Sequence, residues 1–265
     1  MSEPMPGYVR LYYYTGKQWG MKVLWEKRLK IARYQDLNDP FELIPFNRTR
    51  KASRRFYDGK IKKLFDGKYG IICFSESWQT TLMWSHYGEK HTGICLGFDV
   101  LDTNAEKVRY AETLLDDPYD PAQHVKGMSA KVFSDAMLCK YAGWRYEREQ
   151  RVHARLEESV DGIYYKNFDD SIQLREVILG PKCTLQPSEV VASVSNPPQD
   201  VDIYAARVAF GRFEVCKQEL VSTHTTKGWR ERVKNLPDLF ADQVAPDPEP
   251  ADKEREPDDD DFPPW

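Results

Sequence analysis

The sequence lacks several features that would assign it to a familiar class. None of its apolar stretches approaches the roughly 20 residues needed to cross a bilayer, and the N-terminus, Met1-Ser2-Glu3-Pro4, lacks the basic and apolar regions of a secretory leader. The five cysteines include no C-x-x-C pair, which argues against both a disulfide framework and a zinc site. We therefore expect a cytoplasmic protein with no membrane partner.

Common catalytic signatures are also missing. The five histidines form neither an H-x-x-x-H nor an H-x-H pair, so we predict no metal site. A metal-dependent hydrolase that uses His86, Asp39, Glu42 and Glu76 as ligands is the weaker alternative. No G-K-[ST] phosphate loop is present, and Ser85 is not in a G-x-S-x-G elbow.

Aromatic residues, in contrast, are abundant. They make up 13% of the 265 residues, with fifteen Tyr and seven Trp, while 41% of the chain is hydrophobic and 30% is charged. That composition is typical of a soluble globular protein with rings at a binding surface as well as in the core. The length favours one domain, which we place at residues 1–238, followed by an appendage at 239–265.

The charge is distributed unevenly. From Ala245 to Trp265 there are nine acidic and two basic residues, a net charge of −7, whereas the whole chain carries −4. Residues 1–244 therefore carry about +3. Prolines alternate with acids in this C-terminal segment, and we expect it to be a disordered acidic tail.

Hydrophobic periodicity predicts an α+β domain with a split mixed β-sheet and flanking helices. The predicted strands are 9–14, 29–32, 69–74, 93–100, 108–110, 149–156, 176–180 and an edge strand from 215. The predicted helices are 17–27, 53–65, 80–88 and 131–143, with a βα piece over 190–213.

Polar and aromatic clusters stand at the ends of these strands. They read Leu37-Asn38-Asp39-Pro40-Phe41-Glu42, Cys73-Phe74-Ser75-Glu76, Met83-Trp84-Ser85-His86-Tyr87-Gly88, Trp144 to Arg151, and Leu174 to Gly180. Such groups are costly to bury unless they are paired, so we predict that they share one polar cleft.

These segments resemble the bacterial family known as domain of unknown function 2971. The resemblance extends from about Leu11 to about Gly180, and Asn38 to Glu42 and Met83 to Gly88 are its most specific parts. It implies a family and no established activity.

The order of the elements also resembles the split sheet of ADP-ribosyltransferases. In those enzymes a His or Arg on the first strand, a central aromatic or Ser, and a Glu on a late strand face NAD. The resemblance implies Tyr13 or Tyr14 in the first role, Ser75 or Tyr87 in the second and Glu176 in the third. The first strand lacks the usual His or Arg at that place, unless Arg10 serves.

This resemblance implies NAD as the bound nucleotide. Breaking its nicotinamide–ribose bond passes through an oxocarbenium-like state that a carboxylate stabilises. Glu176 is the first choice for that carboxylate and Glu147 the second, with His86 and Tyr87 completing the predicted catalytic group. The predicted NAD-binding residues are Tyr13, Tyr14, Asn38, Asp39, Glu42, Ser75, Trp84 and Arg151.

Structural explanations are open for several of these residues. Glu147 and Arg151 could form an ordinary i, i+4 ion pair on a helix surface. Asn38 or Asp39 could make side-chain bonds to the backbone of a turn. His86 could act as a general acid or base, or it could be a hydrogen-bonded structural residue.

The C-terminal end resembles the acidic tip of bacterial single-stranded DNA-binding protein. Asp258, Asp259, Asp260 and Asp261 are the acid run, and Phe262 or Trp265 would be the aromatic anchor. The resemblance implies docking on proteins that bind that tip, with an apolar pocket for the ring and basic neighbours for the acids. The alternative is a solvating tail, or one that folds back on the chain.

Three functions are therefore open. The first is an ADP-ribosyltransferase-like effector, a toxin or an anti-phage protein, which uses NAD to modify a nucleic-acid or protein target. The second is a non-enzymatic interaction protein that docks through its tail on DNA replication or repair proteins. The third is a nuclease-like hydrolase.

Overall fold

Short alternating segments of apolar and polar residues build a mixed β-sheet. The computed structural model describes residues 3–119, 129–194, 200–219 and 224–228. The strands in these ranges are β1 (Tyr8–Thr15), β2 (Arg28–Arg33), β3 (Tyr69–Ser75), β4 (Ile94–Leu101), β5 (Glu106–Lys107), β6 (Arg109–Ala111), β7 (Cys139–Tyr141), β8 (Glu149–Arg155), β9 (Ser159–Val160), β10 (Ile163–Asn167), β11 (Ile172–Leu179), β12 (Asp202–Val208), β13 (Val215–Lys217) and β14 (His224–Thr225).

Helices connect and cover these strands. They are α1 (Lys17–Glu26), α2 (Lys51–Phe56), α3 (Lys62–Asp66), α4 (Thr81–His86), α5 (Ala130–Leu138) and α6 (Pro187–Ser193). A π-helical turn (Tyr57–Ile61) joins α2 to α3, and 3₁₀ turns lie at Tyr34–Asp36, Glu89–His91, Asp102–Asn104 and Ala142–Glu147.

The strand order in the main sheet is β13-β12-β11-β4-β1-β3-β2-β10-β9, with β8 along the other edge of β3. The pair β11–β12 is parallel, and the other neighbours in this order are antiparallel. β4 pairs with β1 along its whole length, and β8 pairs with β3 in the same way. The predicted α+β fold with a mixed sheet and helices is therefore confirmed.

The two faces of the sheet carry different cores. Leu11 of β1 and Phe98 of β4 face a large apolar cluster that includes Val23 and Leu24 of α1 and Val190 of α6. The opposite face holds two smaller clusters, one around Trp84 of α4 and one around Tyr57 of the π turn. Because side chains alternate along a strand, Tyr12 and Tyr14 lie on this second face while Leu11 and Tyr13 face the first core.

Some element boundaries differ from the sequence predictions. The helix predicted over 131–143 ends at Leu138, and Cys139–Tyr141 form β7 beside β6. The helix predicted over 53–65 is interrupted by the π turn at Tyr57–Ile61. Strand β10, which pairs with β2, was not predicted at all.

The described residues all belong to the first of two compact units of the chain, Met1–Trp229 and Arg230–Trp265. Within the described part, no helix is long and apolar enough to cross a membrane. The predicted acidic tail, including Asp258 to Asp261, Phe262 and Trp265, lies outside the described residues.

Candidate functional site

A cavity of about 300 Å³ lies where β1 and β3 separate. The two strands share one register position, Tyr12 opposite Ser75, among the described residues. Beyond that position β1 continues through Tyr13 and Tyr14 to α1, and the start of β3 pairs with β2 instead. The cavity is lined by Tyr13, Tyr14 and the middle of β3, so it opens within the sheet itself.

Glu147 lines this cavity at the end of a 3₁₀ turn and is held by two donors. The Tyr87 hydroxyl donates to Glu147 Oε1 at 2.5 Å, and Lys140 Nζ donates to Glu147 Oε2 at 2.6 Å. Asn38 Nδ2 donates to the Tyr87 hydroxyl oxygen at 2.8 Å. This chain of bonds joins three parts of the sequence and fixes the orientation of the carboxylate.

Arg151 holds two further carboxylates behind the cavity. Its Nη1 and Nη2 donate to the two oxygens of Glu42 at 2.8 and 2.6 Å, and its Nε donates to Glu149 Oε1 at 2.8 Å. Lys140 Nζ also donates to Glu149 Oε2 at 3.3 Å. We call the five residues that form this network the cleft cluster: Glu42, Lys140, Glu147, Glu149 and Arg151.

The cleft cluster contains three carboxylates and two cations, and all five side chains are buried. Burial raises the pKa of Glu147, and Lys140 opposes that shift. Burial also disfavours ionisation of Glu149, but Arg151 and Lys140 outweigh it and lower the pKa of Glu149 to about 2. The cluster therefore has one negative charge more than its cations balance, and Glu147 is the carboxylate least satisfied by them.

A single register row crosses the second face of the sheet. Glu149 lies opposite Ser75, Ser75 opposite Tyr12, Tyr12 opposite Gly97, and Gly97 opposite Glu176. Any side chain at Gly97 would meet its neighbours, since a Cβ there would lie 2.9 Å from Glu176 Oε2. The row shows that Glu147's neighbour Glu149 and the predicted catalytic Glu176 share a face but stand several strands apart.

Glu176 belongs to a separate network, which we call the enclosed cluster: Arg10, Asp99, Arg175 and Glu176. Arg10 Nη1 lies 3.0 Å from Glu176 Oε1, and Arg10 Nε donates to Asp99 Oδ1 at 2.7 Å. Arg175 Nε lies 3.3 Å from Asp99 Oδ2. Glu176 is 1% exposed, and burial raises its pKa while Arg10 opposes that shift.

The prediction of one shared cleft therefore holds for some residues and not for others. The predicted residues that line the cavity are Tyr13, Tyr14, Asn38, Glu42, Ser75, Tyr87 and Glu147. The predicted residues outside its lining are Glu176, His86, Asp39, Trp84 and Arg151. Arg151 acts on the cavity through Glu42 and Glu149, and Glu176 contacts it through a hydrogen bond with Tyr12, which lines the cavity.

The remaining predicted residues have structural surroundings. Asp39 Oδ1 accepts a hydrogen bond from the Phe41 backbone at 2.9 Å, which is the turn role considered above. Trp84 is fully buried and donates its indole N–H to the Trp78 carbonyl, so it anchors the core beneath the cavity. His86 is exposed and stacks on Tyr146.

Ser75 and the pair Glu147–Arg151 also differ from their predicted arrangements. The Ser75 hydroxyl is buried and accepts from the Ser77 backbone N–H at 3.2 Å, so it shapes the turn after β3. Glu147 ends a 3₁₀ turn and Arg151 lies in β8, so they do not form an i, i+4 pair on a helix. Arg151 pairs with Glu42 and Glu149 instead.

Lys140 and Glu149 are the two members of the cleft cluster that were not predicted as site residues from the sequence, and Lys140 is the less expected of them. It lay inside a segment predicted as an amphipathic helix, where a lysine usually faces solvent. Its side chain is 5% exposed, and although burial opposes its charge, Glu149 and Glu147 raise its pKa. Two acids within nine residues downstream, Glu147 and Glu149, were the available local signal, whereas Glu42 is distant in the sequence and is brought near Lys140 by the fold.

No group of three or more His, Cys, Asp or Glu side chains that could hold a metal ion occurs in the described ranges. The ligand set considered above, His86, Asp39, Glu42 and Glu76, is thus not brought together.

Residues 83–152 match the family described as "Protein of unknown function (DUF2971)". The resemblance to that family is thereby confirmed over a segment that contains Met83 to Gly88, which includes most of α4, and also β4 and the start of β8. The match is shorter than the expected span of 11–180 and does not include Asn38 to Glu42. It does include Tyr87, Lys140, Glu147, Glu149 and Arg151. No curated protein and no solved structure matches the chain.

Proposed function

We propose that the chain is an ADP-ribosyltransferase-like effector that uses NAD in this cavity to modify a nucleic-acid or protein target. The observation that carries the proposal is the excess negative charge of the cleft cluster beside a cavity lined by tyrosines. NAD has a cationic nicotinamide ring, and as the bond breaks this positive charge moves from the ring to the ribose. Both features suit an aromatic wall next to an under-compensated carboxylate.

The roles of the residues follow from their contacts. Glu147 stabilises positive charge at the ribose, and Tyr87 and Lys140 hold its two oxygens in place. Tyr13 and Tyr14 offer ring faces and edges to the nicotinamide. Glu176, the first choice from sequence, is replaced by Glu147 because Glu176 is enclosed and paired with Arg10.

The chemical step balances without any further reagent. The bond between nicotinamide nitrogen and ribose carbon breaks, and its electron pair leaves with nicotinamide. A nucleophilic oxygen or nitrogen of the target forms the new bond to that carbon, and its proton passes to the Glu147 carboxylate. Because burial raises the pKa of Glu147, it is a stronger base than an exposed glutamate.

The separation of β1 from β3 supports the same proposal, since the enzymes that the sequence order resembles bind NAD at a split in their sheet. The chain departs from them on the first strand. Arg10, which could have taken the place of the usual His or Arg, pairs with Asp99 and Glu176 in the enclosed cluster. Tyr12, Tyr13 and Tyr14 are therefore the first-strand residues that line the cavity, and Tyr13 and Tyr14 are the two that we assign to the ligand.

The test is incubation of the full chain with NAD and a cell lysate, with nicotinamide release and label transfer measured separately. We expect Glu147→Gln to lower release by about 10²–10³-fold, because an amide cannot stabilise positive charge as a carboxylate does. Glu176→Gln is the matched control and should keep most of the release. If the unmodified protein releases no nicotinamide, or Glu147→Gln releases it normally, the proposal is wrong.

The other functions stay predictions. Docking through the tail depends on residues outside the described ranges, and deletion of Phe262 to Trp265 tests it. Competition with a peptide of the single-stranded DNA-binding protein tip is the direct measurement. The nuclease-like alternative is tested by degradation of labelled nucleic acid without NAD.

A further inference from the structure

A second cavity of about 270 Å³ adjoins the first and differs from it in chemistry. Its lining includes three aromatic rings, those of Tyr13, Trp19 and Tyr165, and three basic side chains with one acidic one. The first cavity has an acidic wall, whereas this one is basic and aromatic. Tyr13 and Lys30 line both cavities, so the two lie next to each other.

The cations of this second cavity lie over rings. The guanidinium of Arg28 lies 3.8 Å from the centroid of the Tyr165 ring, and the ammonium of Lys22 lies 5.2 Å from that of Trp19. Lys30, directly opposite Tyr165 in the β2–β10 pair, is exposed. It has no acidic side chain at ion-pair distance among the residues that the structure describes.

The surface extends beyond the cavity along α1. Trp19, Lys22 and Trp25 are spaced three residues apart, so they are successive neighbours on one ridge of the helix. Trp19 is 52% exposed and Trp25 is 73% exposed. Such exposure is unusual for tryptophan, the largest side chain, on a surface that binds nothing. An aromatic–basic–aromatic ridge that leads into a basic cavity offers alternating sites for rings and for negative charge.

We infer that this surface binds single-stranded nucleic acid and delivers it to the first cavity as the acceptor of ADP-ribose. Single strands are bound by aromatic side chains that stack on bases and by cations that follow the phosphates, and both are present here in alternation. A duplex hides its bases from such stacking. The inference rests on the proposed function for the acceptor role, but the binding itself does not depend on NAD.

The charge of residues 1–244, which excludes the acidic C-terminal segment, agrees with this choice of ligand. Residues 1–244 carry about +3, and the second cavity has three basic residues against Glu26. Glu26 is itself paired with Arg28 at 2.8 Å and with Lys22 at 3.8 Å, which leaves Lys30 as the cation most available to phosphates. A neutral or cationic protein segment would find no such complement here.

The experiment measures fluorescence anisotropy of a labelled single-stranded oligonucleotide of about twelve nucleotides, long enough for several stacking contacts. The full chain is titrated without NAD, and DNA and RNA strands are separate arms. We expect Trp19→Ala and Tyr165→Ala each to weaken binding about tenfold, which is the size of one lost base stack. Lys22→Gln and Lys30→Gln should each lower the slope of log affinity against log salt by about one.

Matched controls use residues of the same type elsewhere on the surface. Phe213 is fully exposed in the β12–β13 connection, and Lys60 is exposed in the π turn. Phe213→Ala and Lys60→Gln should bind the strand as the unmodified protein does. Equal weakening in these controls and in Trp19→Ala would overturn the site, as would normal binding by Trp19→Ala with an unchanged thermal unfolding temperature.

Three further arms decide the class of ligand. Duplex DNA bound as tightly as the single strand would overturn the inference, and so would an acidic peptide bound with the same dependence on Trp19. Complete displacement of the strand by NAD alone would assign the cavity to the dinucleotide instead.

Failure of the proposed function remains distinguishable from failure of this one. Glu147→Gln should bind the strand normally, so strand binding without nicotinamide release would overturn only the transfer reaction. Release without strand binding would overturn only the present inference.

Discussion

The cleft cluster and the enclosed cluster are both networks of acidic and basic side chains, yet they have different surroundings. Glu147 of the cleft cluster faces a cavity, and its tyrosine and lysine partners orient it. Glu176 of the enclosed cluster is covered and faces Arg10 and the Tyr12 side of the row. The sequence context made Glu176 the more attractive catalytic candidate, because it stands in a late apolar strand.

The comparison shows what a buried carboxylate needs in order to be a functional candidate. Burial raises the pKa of both Glu147 and Glu176, so a raised pKa does not separate them. Position separates them, because Glu147 lines the cavity and Glu176 does not. Charge balance also separates them. The cleft cluster has three acids against two cations, whereas the enclosed cluster has two acids against two arginines.

The largest expected effect on stability comes from a substitution that breaks the enclosed cluster. Arg10→Met should lower the free energy of unfolding by about 3–5 kcal/mol, because it leaves Glu176 buried without its cation. Denaturant unfolding measures it. Arg145→Met, which removes an exposed cation 3.3 Å from Glu112, is the control and should change stability little. A stability loss no greater than that of the control would show that the enclosed cluster does not stabilise the fold.

A somewhat smaller effect concerns pH. The folded pKa of Glu149, about 2, lies below its ordinary value of 4.5, so its contribution to stability is present above pH 4.5 and is lost as pH falls toward 2. The shift corresponds to about 3 kcal/mol. Glu149→Gln should therefore flatten the acid limb of stability measured by denaturant unfolding.

Glu176 contributes a dependence of stability on pH that has the opposite sign from that of Glu149. Its folded pKa is raised, so its contribution is present below the ordinary value and is lost as pH rises through the folded value. Glu176→Gln should remove that loss and leave the acid limb steep. If both variants change the acid limb alike, the electrostatic distinction between the clusters is wrong.

The smallest effect sharpens the role of the cleft. Tyr87→Phe removes the hydroxyl that donates to Glu147, and nicotinamide release should fall about tenfold, mainly in kcat. The hydrogen bond lowers the pKa of Glu147, so the acid limb of the rate profile should move to higher pH. Tyr141→Phe, in an exposed ring, is the control. An unchanged pH profile in Tyr87→Phe would show that the Tyr87 hydroxyl does not affect the pKa of Glu147.

Strong local patterns made much of the fold predictable. β3 and β4 are nearly continuous apolar runs, and their ends were predicted within one residue or two. β10 was missed because Tyr164 and Tyr165 have no clear alternation and depend on pairing with β2, across more than 130 residues of chain. The break in the helix at Cys139 was missed because a parallel pair with β6 overrides helical spacing that extends to Cys139.

The candidate site was predictable in its residue types and only partly in its geometry. Polar motifs at strand ends identified Tyr87, Glu42 and Glu147, since such groups are rarely buried without a reason. The local sequence does not distinguish Glu147 from Glu176, because the difference is whether the fold places the residue beside the gap between β1 and β3. Lys140 could not be found by periodicity, since its role depends on acids that the fold brings around it.

The single register position that joins β1 to β3 has a mechanical consequence. The sheet is stiff within the β1–β4 pair and within the β3–β8 pair, where backbone hydrogen bonds run the whole length. Among the described strands, these two pairs are joined at one register position, Tyr12–Ser75. A rotation of one strand pair relative to the other therefore acts on this one position, and the backbone hydrogen bonds within each pair stay intact. Fewer backbone pairings therefore oppose a change in the width of the gap than oppose separation within either pair of strands.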